Sequence, residues 1–253
     1  MKKLLLFITA IFICGAAIAQ TIRWHIGDTV YQTTTCNAGE SITPPTVPDR
    51  FGYTFIRYDA YTPIEYLEST GTQYIDTGYI PNQDTEVKLK VMIDAIENKY
   101  NNICGSGESY NSKVFELYIW DGIFGSNYGN SNTPSGVLIN ANDVIEIDKN
   151  KNIVTFSVNN ITKSVINQVY SNFVSPYQMR IFGITRPQSV SYLYDTGKMK
   201  LYYFQIYDND VLVRDFIPVL DGNGTPCMYD KVEGKFYYNA GTGQFIAGPV
   251  IGE

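Results

Sequence analysis

From Glu86 the chain reads Glu-Val-Lys-Leu-Lys-Val-Met-Ile-Asp, which sets Val87, Leu89, Val91 and Ile93 on one side of the backbone. A strict period of two is the signature of a strand with one buried face. Shorter runs of the same kind recur at 114–120, 137–139, 144–147, 153–158, 179–184, 198–207 and 235–239. Clusters of Gly, Asn, Asp and Ser separate them, at 105–107, 125–136, 148–152, 159–160, 208–210 and 221–224. Those residue types tolerate the positive φ that tight turns demand. No breaker-free window of about 12 residues carries a helical period. Many short strands at this spacing predict an all-β protein, two antiparallel sheets packed face to face.

The stretch before Tyr61 has a different texture. Residues 21–31 read as a strand, Thr43-Pro44-Pro45-Thr46-Val47-Pro48 as a Pro-stiffened crossover, and Phe51-Gly52-Tyr53-Thr54-Phe55 as a second strand. About 40 residues with so few apolar positions hold little core of their own, which suggests a small β appendage. Ahead of it, Lys2 and Lys3 precede an apolar run that ends in Ala17-Ile18-Ala19, the arrangement of a secretory signal peptide. A lipoprotein reading of Cys14 is disfavoured by Ile13, which stands where such signals place a small residue. The expected organisation is therefore a leader over 1–19, an appendage over 20–61 and a sandwich over 62–253. The expected location is outside the cytoplasm: secreted, periplasmic or on the cell surface. No later run approaches the roughly 18 apolar residues of a membrane helix, so no membrane span is expected in the mature chain. Export permits disulfides, but Cys36, Cys104 and Cys227 are odd in number, which leaves at most one internal bridge and its pairing open.

Composition narrows the chemistry. Of 253 residues, 44% are hydrophobic and 17% charged, enough for a real core and too little charge for a disordered chain. Tyr is abundant, 21 against 2 Trp; it favours strands and builds contact surfaces with one wet end. A net charge of −6 and a pI near 4.9 argue against a nucleic-acid partner. A single His, His25, leaves little room for His-based triads, zinc clusters or haem ligation.

Two stretches resemble known families. Residues 36–59, CNAGESITPPTVPDRFGYTFIRYD, resemble part of a Listeria–Bacteroides repeat, a small β-grasp-like module of bacterial surface proteins. Arg57-Tyr58 stands where that family usually has Gly-Trp, and the segment is shorter than a full repeat. Residues 66–79, YLESTGTQYIDTGY, together with 201–248, LYYFQIYDNDVLVRDFIPVLDGNGTPCMYDKVEGKFYYNAGTGQFIAG, are similar to a concanavalin A-like, laminin-G-like jelly-roll module of phage structural proteins and secreted gut-bacterial proteins. That resemblance implies a jelly-roll sandwich in which residues 73–77 pair beside 198–207. It also implies a hairpin between Met228-Tyr229-Asp230 and Phe236-Tyr237-Tyr238 that closes an edge. Lectins, glycosidases, adhesion modules and structural domains share this fold, so function has to be argued from residues.

Three candidate chemistries follow. Jelly-roll glucanases carry Glu-x-Asp-x-x-Glu on one strand, with two Glu as nucleophile and acid/base. Here Glu146-Ile147-Asp148 opens the pattern but Lys151 occupies the last position, so Glu146 and Asp148 read as the wet face of a strand. Calcium is held at loop rims in many related sandwiches, and Asp208, Asp210 and Asp221 are weak ligand candidates, but they lie in segments without the spacing of a calcium loop, which tight turns explain better. Sugar binding requires an aromatic platform beside planar polar groups. Trp120, Asp121, Asn127, Tyr128 and Asn130 concentrate those types in a segment that reads as one loop, although Trp120 also fits as a cap on the core. The expectation is an exported, non-enzymatic binding or adhesion module for carbohydrate, without a cofactor, whose partner is a glycan or a surface protein. The alternatives are a structural or protein-interaction domain of a surface or phage-derived assembly and, behind it, a glycoside hydrolase.

Overall fold

The computed structural model describes residues 61–96, 100–163, 165–187 and 197–251 in full and, before them, backbone at 2–3, 8–9, 20–26, 29–36 and 53–54. In that first part the strands are β1 (Lys2–Lys3), β2 (Ile8–Thr9), β3 (Gln20–Ile26), β4 (Thr29–Cys36) and β5 (Tyr53–Thr54). The strand expected over 21–31 is instead two, β3 and β4, paired antiparallel. β5 lies within the second expected strand and pairs in parallel with β1. The Pro-rich crossover and most of the leader fall outside the described residues.

The main body begins with β6 (Tyr61–Pro63), β7 (Leu67–Thr70), β8 (Ile75–Asp76), β9 (Thr85–Ala95) and β10 (Tyr100–Ser106). It continues with β11 (Val114–Trp120), β12 (Ile123–Gly129), β13 (Ser131–Leu138), β14 (Val144–Asn150), β15 (Ile153–Val158), β16 (Ile161–Thr162), β17 (Ile166–Asn167) and β18 (Arg180–Ile181). β19 (Lys198–Asp208), β20 (Val211–Asp221), β21 (Pro226–Asp230), β22 (Lys235–Tyr237) and β23 (Ile246–Ala247) complete it. Among the described residues there is no helix.

These strands form the predicted two-sheet antiparallel sandwich. One sheet has six strands in the order β13-β12-β11-β10-β18-β8. The other has twelve, with the path β16-β15-β14-β9-β19-β20-β21-β22 and β6, β7, β17 and β23 attached beside it. The core lies between them. Val87, Leu89, Val91 and Ile93 of β9 face inward as their period requires and meet Phe115, Leu117 and Ile119 of β11 and Phe124 of β12 in one buried cluster. Each such aliphatic or aromatic side chain contributes about 1.5–3 kcal/mol by leaving water, which makes this register far more stable than one slipped by a residue.

Several boundaries differ from expectation, for physical reasons. The presumed turn over 125–136 is largely strand: β12 and β13 form a hairpin that turns only at Gly129-Asn130. The presumed turn over 148–152 shrinks to Lys151-Asn152, because β14 continues to Asn150 against β9 and β15. β7, not 73–77, pairs with β19; Ile75–Asp76 pairs with β18 in the other sheet. The hairpin of β21 and β22 forms as expected and ends the large sheet.

Candidate functional site

The expected sugar-binding loop is a β-hairpin. β11 and β12 pair along their whole length, from Val114 with Gly129 to Trp120 with Ile123. Asp121 (φ 52°) and Gly122 (φ 80°) supply the two positive φ angles of a two-residue turn between them. Asn130 belongs to the turn at the far end of β12, roughly 23 Å away at about 3.3 Å per residue. Trp120 and Asp121 therefore do not share a site with Asn130. Nor does Tyr128, which turns into the core, packs edge-on against Phe173 at 5.1 Å and donates its hydroxyl to Gln83 O at 2.7 Å. Asn127 faces the other way and is fully buried.

What the register does bring together is a face of the six-stranded sheet turned away from the core. Paired residues on adjacent strands share a face. Tyr100, Trp120, Ile123 and Leu138 form one row across β10, β11, β12 and β13. Asn102, Tyr118, Gly125 and Pro134 form the next, and Gly105, Glu116, Asn127 and Asn132 the third. The face thus grades from aromatic and apolar to carboxylate and amide within three rows.

Its parts are locked to one another. The Tyr118 ring lies across Gly125, where a Cβ would come within 2.4 Å of it. Its hydroxyl donates to Asn132 Oδ1 at 2.7 Å, and Tyr100 stacks on it with centroids 5.3 Å apart. Burial pushes both phenols above their ordinary range, and the nearby Glu116 charge adds to the effect. Glu116 is fully buried; it accepts from Arg186 Nη2 at 3.0 and 2.9 Å and from Asn127 Nδ2. Arg186, whose side chain is only 5% exposed, caps the polar end. The open end is the aromatic one: Trp120 is 48% and Leu138 62% exposed, with Asp121 exposed beside them, and Asn132 is exposed two rows away.

The weak calcium candidates do not converge. Asp208 and Asp210 lie at one end of β20 and Asp221 at the other, roughly 33 Å apart at the usual rise of a strand. Asp221 Oδ1 accepts from the backbone N–H groups of Asn223 and Thr225, and its Oδ2 from the Tyr238 hydroxyl at 3.0 Å. Those bonds, the one from Thr225 foremost, hold its carboxyl below the usual range and identify it as the organiser of its turn. Among the described residues no group of three or more His, Cys, Asp or Glu could hold a metal. Tyr238, the donor to Asp221, lines a cavity of about 400 Å³ together with Thr225, Asn239 and Gln244. Glu146 and Asp148 sit on the solvent side of the large sheet. Glu146 accepts from the Tyr203 hydroxyl at 3.1 Å, and Asp148 lies 3.6 Å from Lys88. Lys151, in the adjoining turn, lies 3.8 Å from Asp84.

A buried polar cluster escaped the sequence reading. Lys149, on the inner face of β14, has no exposure; its Nζ donates to Ser126 Oγ at 2.7 Å and to Gln168 Oε1 at 3.2 Å. It lies over the Phe115 ring at 4.6 Å, and burial pulls its amine down to about 7. The alternation of Ile145, Ile147 and Lys149 was a usable signal, masked by the habit of assigning lysine to the surface. Cys104 and Cys227 are both free and buried, while the Cys36 side chain lies outside the described residues.

No family model matches the chain, and no curated protein matches its sequence. Among solved structures it is similar to a candidate carbohydrate-binding protein from Bacteroides ovatus, at 11% identity over 95% of this chain and 71% of that one, with a TM-score of 0.47. It is also similar to domains LG4-5 of the mouse laminin alpha1 chain, at 9% identity over 67% of this chain and 49% of that one, TM-score 0.40. A mutant Trypanosoma rangeli sialidase displaying trans-sialidase activity matches at 11% identity over 51% of this chain and 21% of that one, TM-score 0.35. The fold assignment rests on the strand pairing itself.

Proposed function

We propose that this chain is a non-enzymatic binding module that engages carbohydrate through the face built by β10–β13. The observation that carries the reading is the register that sets Tyr100 and Trp120 side by side, one row from Tyr118 and two from Asn132. A pyranose stacks its apolar face on such rings while amides and carboxylates pair its hydroxyls, and an exposed Trp flanked by a second aromatic suits that task. The bonded ring of Tyr118 and the Arg186–Glu116 pair stiffen the platform, so little order is lost when a ligand binds. Export, expected from the leader, would expose this face to glycans outside the cytoplasm.

Calcium is not required in this reading, since Asp221 spends its oxygens on its own turn. Catalysis is not expected either: Glu146 and Asp148 have Lys88 and Tyr203 beside them and Lys151 where an acid/base would stand. Glu146→Gln should leave binding unchanged and remove no hydrolytic activity. The test is a panel of immobilised glycans probed with the wild type and with Trp120→Ala, with calcium and with chelator. Binding that survives chelation and falls at least roughly tenfold in the variant, the loss of about one stacking contact, supports the proposal.

A protein partner is the second reading, favoured by Leu138, which extends the exposed apolar row beyond Trp120. Silence on the panel would move the assignment to that reading.

A further inference from the structure

Among the described residues Lys149 is the one lysine with no solvent exposure, and its immediate partners are not carboxylates but a hydroxyl and a carboxamide. Ser126 Oγ accepts from Lys149 Nζ at 2.7 Å and donates to Gln168 Oε1 at 2.9 Å. Lys149 Nζ lies 3.2 Å from the same Oε1, one covalent bond from the amide carbon. Gln168 is held from its other side, where Nε2 donates to Ser126 O at 2.8 Å and Ser131 O at 3.3 Å. All three side chains are buried. An amine, a bridging hydroxyl and a fixed carboxamide are thus held together in one buried cluster between the sheets.

We infer that Lys149 and Gln168 are a self-modification site, at which an isopeptide bond forms with Ser126 as proton relay. The neutral amine adds its lone pair to Gln168 Cδ, and the carbonyl π pair moves onto Oε1, where the Ser126 hydroxyl stabilises the developing charge. The tetrahedral intermediate collapses by breaking Cδ–Nε2. The proton shed by Nζ passes through Ser126 Oγ to Nε2, which leaves as ammonia. One C–N bond forms and one breaks, and no oxidant or cofactor enters. Amines react slowly with amides in water, but well-oriented intramolecular pairs reach effective molarities on the order of 10⁵–10⁸ M. Burial supports the step by keeping a substantial neutral fraction of the amine at neutral pH. The product would tie β14 of the large sheet to the segment after β17, which carries the exposed Val169 and Tyr170.

The test is peptide mapping of the purified full chain after incubation at mildly alkaline pH. Trypsin cannot cut at an acylated lysine, so the linked product is residues 114–151 joined to residues 164–180, lighter by one ammonia than the two peptides. Intact mass alone would mislead if Gln20 became the N-terminus, since cyclisation of a terminal Gln also releases ammonia. The linked species is expected in the wild type, absent in Lys149→Met and formed roughly a hundredfold more slowly in Ser126→Ala, as for loss of one oxyanion donor. Complete recovery of the separate peptides from the wild type overturns the inference, whether or not either variant folds. Linking at the wild-type rate in Ser126→Ala overturns the relay.

Discussion

Trp120 and Gly125 shape one surface from opposite directions, the first by what it exposes and the second by what it lacks. Because a Cβ on Gly125 would meet the Tyr118 ring at 2.4 Å, Gly125→Ala must swing that ring off the sheet and break its bond to Asn132. The expected outcome is weaker glycan binding without loss of the fold, read by comparing panel binding with circular dichroism. Part of this was legible in the residues: Trp120, Asp121 and Asn127 lie on or beside the face. Tyr100, Tyr118 and Glu116 were not, because they are adjacent only through cross-strand register, which one chain read alone does not state. Tyr128 looked equivalent to them, yet one residue of difference along β12 turns it into the core.

Hairpins decide what those residues can do. Asp121-Gly122 between two alternating runs is a strong two-residue turn signal, and it converts the supposed loop into paired strands. Gly129, at the other end of β12, has a φ of 61°, and a Cβ there would lie 1.8 Å from Ser171 Oγ. Gly129→Ala should therefore destabilise the protein by roughly 1–3 kcal/mol, seen as a lower urea midpoint with an unchanged slope. β20 shows why an element can be missed: Arg214-Asp215 and Pro218 interrupt its apolar pattern, yet it runs eleven residues between β19 and β21. Asp215 is matched by Lys231 at 2.6 Å, and Arg214 by Glu233 at 2.7 Å, so the charges sit in the sheet with partners.

At the scale of the molecule, the period of two and the breaker spacing were enough to predict an all-β sandwich, since both follow from burying one face of each strand. Which strand neighbours which was beyond them, because β9 and β14 pair across four intervening strands of the other sheet. The wealth of Tyr has a global consequence. Burial raises Tyr79, Tyr203 and Tyr237 to about 12 in the folded chain, against an ordinary value of 10.0. Their contribution to stability is fully present below pH 10 and is lost as pH rises toward 12, because the unfolded chain releases those protons first. Denaturant midpoints should fall steeply above pH 10, together with a tyrosinate absorbance rise at unfolding.

The most direct test of the binding face uses the two indole N–H signals of the protein, from Trp24 and Trp120, in a proton–nitrogen correlation spectrum. Titration with the best oligosaccharide from the panel should shift the Trp120 signal, assigned by its loss in Trp120→Ala, and leave Trp24 in place. Saturable binding with the Trp120 signal unmoved would contradict the account.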